Sequence, residues 1–113
     1  MPTLLNELGF FQFDNLIRNQ IPFVLLNLGA DLKGLYKLSH HQNHLEKLTC
    51  NVSTSDALET LKNRKHSLHE AIVVICQSGK DSGPLVDELE AAGYLNVFMV
   101  KGGLDQLRAD ASR

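Results

Sequence analysis

The stretch 71-AIVVICQSGKDSGP-84 decides the fold. Its first five residues, Ala71 to Ile75, are all apolar and mostly β-branched, which suits a strand buried on both faces, as in a parallel sheet. Cys76 follows directly, then a polar loop containing Gly79, then Ser82 and Pro84, which suit a helix start. Strand, cysteine, short loop and helix in that order hold a thiolate beside backbone N–H groups and a positive helix end. This stretch is the candidate active site.

Outward from it, the chain alternates between strand and helix signals. Downstream, Leu85, Val86 and Leu89 give a helix from about Ser82 to Ala92 one apolar face, and Gly93 stops it in the manner of a left-handed C-terminal residue. Asn96 to Val100 reads as a strand, and the turn Lys101-Gly102-Gly103 feeds a last helix over 104–109. Upstream, Phe23 to Leu28 is a second buried strand, Gly29 to Gly34 a loop, and Leu35 to Leu38 one helical turn. Ser39 to His44 reads as a solvated loop, Leu48 to Val52 as a short strand. Ser53 and Thr54 offer caps for a helix through Leu58, Leu61 and Lys62. At the start, Leu4, Leu5 and Leu8 have helical spacing in a leader over residues 1–9. Phe10, Phe11 and Phe13 read as an edge strand, and Asp14 caps a helical turn to Asn19, with Leu16 and Ile17 facing the core. Alternation at this spacing predicts an α/β fold: an open parallel sheet with helices on both faces. Ligands of such sheets bind beyond the carboxyl ends of the strands, where Cys76, Lys101 and the loop after Leu28 should converge.

Composition narrows the function classes. The 113 residues carry a formal net charge of −2, with 43% hydrophobic and 21% charged side chains, so one domain over 1–113 is expected. Scattered Lys and Arg give no basic patch for nucleic acid. No apolar run reaches membrane-spanning length, and the N-terminus lacks the pattern of a signal peptide. Two cysteines, Cys50 and Cys76, are too few for a disulfide framework, which favours a reducing compartment and a cytoplasmic location. Cys50 reads as packing. His40, His41 and His44 lack a carboxylate or cysteine at ligand spacing, so no metal is expected there.

The residues 71-AIVVICQSGKDS-82 and 85-LVDELEAAGYLNVFMVKGG-103 resemble the rhodanese-like (sulfurtransferase) domain family. A strand, then Cys-x-x-Gly-x-x-Ser, a helix ending in Ala-Ala-Gly-Tyr, then Asn-Val-Phe and a Gly-Gly turn follow that family's order. More loosely, Phe23 to Leu28 resembles its first long strand, and His44-Leu45 with Leu48 and Val52 resembles its His-Ile-x-x-Ala-x-x-x-Ile segment, in which the matching histidine, His44, reads as structural. The resemblance implies a rhodanese-like open sheet and transfer of a sulfane sulfur from a donor, thiosulfate or a persulfide, through Cys76 to a thiol acceptor, either a small molecule or a protein, without a cofactor. It departs from the family at three places. Asn27 and Gly29 stand where an Asp and an Arg are usual, Asp81 where many active members have Arg, and Leu104 and Leu107 near the position of an aromatic.

In the loop, the N–H groups from Gln77, Ser78, Gly79, Lys80, Asp81 and Ser82 form the expected anion cradle. Gly79 permits backbone angles that a side chain forbids, and the charge of Lys80 assists. Ser82 caps the helix, donates to the sulfur, or does both. Lys101 attracts an anionic donor or is a plain surface lysine. Asp81 opposes the cradle: a carboxylate several Å from a thiolate costs on the order of a few kcal/mol near a protein surface, less if it points outward to cap the helix. Weak use of thiosulfate follows, or a donor that is not a dianion. A tyrosine-phosphatase loop requires Arg six residues after its cysteine to bind phosphoryl oxygens, and that position is Ser82. The competing expectation is a catalytically weak or inactive module that carries sulfur or docks a partner through the same face.

Overall fold

The computed structural model describes residues 7–19, 21–33, 35, 39–65, 67–80 and 82–111. Its centre is β4 (Ala71–Ile75), flanked by β2 (Val24–Asn27) and β5 (Asn96–Val100), with β3 (Thr49–Asn51) and β1 (Glu7–Leu8) at the edges. The order is β1-β5-β4-β2-β3 and every pairing is parallel. The helices are α1 (Phe10–Arg18), α2 (Ser39–Leu48), α3 (Ala57–Asn63), α4 (Ser82–Ala91) and α5 (Gly103–Ala111). The expected parallel sheet with helices on both faces is therefore present.

Strand alternation explains the two cores. Successive side chains point to opposite faces, so Ile72 and Val74 enter one cluster while Val73 and Ile75 enter the other. The first face packs Ile72, Val74, Val24 and Leu26 against Ala57 and Leu61 of α3 and Leu85, Val86 and Leu89 of α4. The second packs Val73, Ile75, Leu25 and Val100 against α1, Leu45 of α2, and Leu104 and Leu107 of α5. Burial of each such side chain contributes about 1.5–3 kcal/mol, which is why the central run tolerates no polar residue.

The chain leaves β2 through α2 towards β3, and leaves β4 through α4 towards β5, on opposite faces. The carboxyl ends of β2 and β4 are neighbours whose connections diverge, a topological switch point where open α/β sheets bind ligands. Cys76 follows β4 at that point.

Several local expectations are corrected. Phe10 to Phe13 are not an edge strand but the first turn of α1, in which Phe13 and Ile17, four residues apart, share the buried face. The edge strand is instead Glu7–Leu8, drawn from the leader, which pairs with Met99 and Val100; residues 1–6 lie outside the described residues. Asp14 is no cap. It sits inside α1, where its carboxylate pairs with Arg18 at 2.8 Å, and the first turn is closed by the Gln12 side chain accepting from the N–H of Gly9. Ser39 to His44 form part of a helix, not a solvated loop: His41 and Leu45, again four apart, are its buried residues, and Leu45 joins the core. Leu35 lies in a bend and residues 36–38, of the expected helical turn, fall outside the described residues. Gly93 ends α4 with φ +102° as expected. Among the described residues no helix is long and apolar enough to cross a membrane.

Candidate active site at the end of β4

Cys76 is 2% exposed, held where β4 turns into its loop. The pairing of β2 with β4 continues to this point, since the N–H of Leu28 donates to the carbonyl of Ile75 at 2.8 Å. The Cys76 Sγ receives two hydrogen bonds, from the backbone N–H of Gly79 at 3.0 Å and from the Ser82 hydroxyl at 3.2 Å. Ser82 is fully buried and is the first residue of α4, so the helix start and the sulfur are joined directly. Two donors, one from the loop and one from the helix start, thus converge on the sulfur.

The loop is clamped from the other side by α5. The N–H of Leu104 donates to the carbonyl of Cys76 at 2.9 Å, and that of Asp105 to the carbonyl of Gln77 at 3.0 Å. The first free N–H groups of α5 are thus used by loop carbonyls, leaving α4 as the helix whose start faces the sulfur. This contact demands glycine. A Cβ on Gly103, at φ +66°, would collide with the Cys76 carbonyl oxygen and fall 2.6 Å from the Gly79 nitrogen. Gly79, at φ +90°, lies so near Gly102 that its Cβ would stand 3.1 Å from that backbone. The Cys-x-x-Gly loop and the Gly-Gly turn are one packed unit.

The remaining expected site residues are more peripheral. Ser78 and Lys80 are exposed, and Asp81 lies outside the described residues. Lys101 is exposed on the turn after β5, where its N–H donates to the carbonyl of Leu8. Gln77 faces outward, its amide donating to Asp105 Oδ1 at 2.6 Å while its Oε1 lies 3.5 Å from the N–H of Asp31. Only Gly79 and Ser82 of the expected cradle contact Sγ among the described residues.

Asn27 contributes what the sequence did not suggest. It is 4% exposed, and its side chain accepts from the N–H of Ala30 at 2.8 Å while donating to the Ala30 carbonyl at 2.8 Å and to Asn51 Oδ1 at 2.9 Å. A carboxylate accepts but does not donate, so only an amide makes all three. Gly29 takes φ +93° in the same turn with nothing within 4 Å of a built Cβ. Arg108, from α5, donates to the carbonyls of Asp31 and Lys33 at 2.8 and 3.0 Å. A buried polar residue ending an apolar run was the available signal for Asn27; Arg108 had none.

The histidines lie on α2. The His40 and His41 rings meet at 4.1 Å between centroids, tilted by 56°, and His41 is held below its ordinary pKa by burial, then by the charges of His40 and Arg18, against an opposing pull from Asp14. His44 Nε2 is buried with no hydrogen-bond partner among the described residues. Cys50 is buried in β3 with the α3–α4 core. Among the described residues no three His, Cys, Asp or Glu side chains group as a metal site.

Comparison with known proteins agrees with this geometry. The rhodanese-like domain family model matches residues 37–110. No curated protein sequence matches significantly. Among solved structures, the rhodanese-like domain of an Anabaena protein superposes with a TM-score of 0.69 at 15% identity, covering 93% of this chain and 74% of that one. A Pseudomonas aeruginosa thiosulfate sulfurtransferase gives 0.67 at 16% identity over 92% of this chain, which spans only 18% of that protein. A human single-domain sulfurtransferase gives 0.61 at 14% identity, covering 89% of this chain and 93% of that one. At these identities the likeness is one of fold.

Proposed function

This chain belongs to the rhodanese-like domain family, and from that premise we propose that it moves a sulfane sulfur through a persulfide on Cys76. The observation that carries the reading is the pair of donors, the Gly79 N–H and the Ser82 hydroxyl, converging on Sγ. The Cys76 thiolate attacks the outer sulfur of the donor. The new S–S bond forms as the donor's own S–S bond breaks, and the donor leaves as a thiolate, or as sulfite from thiosulfate. An acceptor thiolate then attacks the outer sulfur of the Cys76 persulfide, takes it as its own persulfide, and returns Cys76 as a thiolate. Two S–S exchanges balance without an external oxidant or reductant. Gly79 and Ser82 stabilise the anionic sulfur before and after each exchange.

The donor is expected to be a persulfide and not the thiosulfate dianion. Asp81 stands in the loop sequence where many active family members carry arginine, and a second carboxylate, that of Asp105, is held beside Gln77. Intact-mass measurement after incubation with a persulfide donor tests the transfer: one added sulfur atom is expected, absent in Cys76→Ser. No adduct with any donor overturns it and leaves the second reading, a partner-docking module, which Cys76's near-complete burial favours. Cyanide-dependent turnover tests the donor: efficient use of thiosulfate by the wild type, or no gain in Asp81→Arg, overturns the persulfide preference.

A further inference from the structure

Two walls flank the cysteine. One is the loop Cys76 to Gly79; the other is the turn from Gly29 to Lys33 that leaves β2. They approach at Gln77, whose Oε1 stands 3.5 Å from the N–H of Asp31, the outer limit for a hydrogen bond. That contact is too weak to fix one wall against the other. What joins them firmly is α5. Its first turn grips the cysteine loop through Leu104 N–H to Cys76 O and Asp105 N–H to Gln77 O, and through Asp105 Oδ1 to the Gln77 amide. One turn further on, Arg108 reaches the opposite wall, where a single guanidinium nitrogen, Nη2, donates to both the Asp31 and the Lys33 carbonyl.

An exposed arginine is ordinarily a solvated surface group. Here it bonds residues 77 and 75 positions away in the chain, on a turn that has left the sheet and lost its ladder partners. Bonds from a charged donor are stronger than neutral ones. The same turn is anchored from inside by Asn27 on both polar groups of Ala30, so Ala30 is fixed by the core and Asp31 to Lys33 by Arg108. That outer part also forms the lip of a cavity of about 330 Å³, lined by Asn27, Asp31, Leu32, Lys33, Glu46 and Asn51 among others.

We infer that Arg108 is a positioning residue for the proposed sulfur transfer, setting the Asp31–Lys33 wall in register with the cysteine loop so that donor and acceptor meet a preformed mouth. It rests on the sulfur-transfer reading. Without Arg108 the wall must be ordered at the expense of substrate binding, and affinity falls while chemistry on bound sulfur does not.

The experiment uses the full chain, with cysteine persulfide as donor and cyanide as acceptor. Wild type must first gain one sulfur on Cys76; if it does not, the sulfur-transfer reading itself fails. Given loading, Arg108→Ala is expected to raise the KM for cysteine persulfide about tenfold, the loss equivalent to ~1.4 kcal/mol, close to the lower end for a hydrogen bond to a charged group. The rate at which saturating cyanide discharges the loaded cysteine is expected to stay at the wild-type value. Arg108→Lys, whose ammonium also donates to carbonyls, is expected to recover part of the KM. A wild-type KM in Arg108→Ala overturns the positioning role. So does a parallel fall in kcat and melting temperature that Arg108→Lys fails to restore, since that marks a purely structural residue.

Discussion

Gly103→Ala is the sharpest probe of the cysteine loop, because the structure separates its two costs. The first is conformational: at φ +66° an alanine pays about 1–2 kcal/mol for the left-handed region. The second is steric and cannot be relieved by a flexible neighbour, since the colliding atoms are the backbone carbonyls of Cys76 and Gln77 and the Gly79 nitrogen. The loop or the start of α5 must retreat, breaking the bonds from Leu104 N–H and Asp105 N–H, each worth about 1 kcal/mol. The expected total is about 3–4 kcal/mol. At roughly 4 °C per kcal/mol for a domain of this size, that lowers the melting temperature by about 12–16 °C. Gly29→Ala is the matched control: its φ is +93° but nothing lies within 4 Å of the added carbon, so only the conformational cost applies. Thermal and urea unfolding of both variants decide the matter. Equal destabilisation by the two would refute the claim that the cysteine loop and the Gly-Gly turn are locked by backbone contact.

Three further outcomes follow from the hydrogen bonds and burial around the site. Asn27→Asp, although it introduces the residue family members commonly carry, is expected to destabilise the fold by about 2 kcal/mol, because a carboxylate cannot donate to the Ala30 carbonyl or to Asn51; unchanged urea unfolding would contradict the three-bond account. Ser82→Ala removes one of two donors to Sγ and is expected to slow the loading of Cys76 by about tenfold, with the far-ultraviolet circular dichroism unchanged; stopped-flow loading with a persulfide donor measures it. His41 is held below its ordinary value of about 6.5 by burial and by His40 and Arg18, opposed by Asp14. The unfolded chain then takes up the proton first as pH falls, so His41 lowers stability progressively below about pH 6.5; across pH 5 to 7.5 the urea midpoint of wild type should fall relative to that of His41→Leu toward the acid end if this holds, and the two should run parallel if it does not.

The parts of the fold that were legible in the sequence are those where one requirement dominates. β4 and β5 have the expected bounds, Ala71–Ile75 and Asn96–Val100, since a strand buried between two helical layers admits little but apolar residues. Phe10 to Phe13 misled because aromatic runs favour strands, whereas tertiary packing used only Phe13 of them fully and left Phe11 78% exposed on a helix. The segment Ser39 to His44 misled for the opposite reason: a helix that buries His41 and Leu45 alone looks polar throughout. At the site, Cys76, Gly79 and Ser82 lie within six residues, so spacing alone related them. Asn51, Asp105 and Arg108 come from β3 and α5, and no local pattern in the chain could bring them to the mouth before the strand order was known.

The site's dependence on α5 orders its failure modes. The donors to sulfur come from the loop itself and from α4, on one face of the sheet, whereas the bonds that hold the loop carbonyls and the opposite wall come from α5, on the other. Chemistry and placement are thereby assigned to different helices. Changes at Ser82 should alter how readily Sγ carries charge without moving the walls. Changes at Asp105 or Arg108 should move the walls without touching Sγ. The departures at Asn27 and Gly29 fall wholly in the second class: they rebuild the wall with an amide and a left-handed glycine and leave both donors to Cys76 in place.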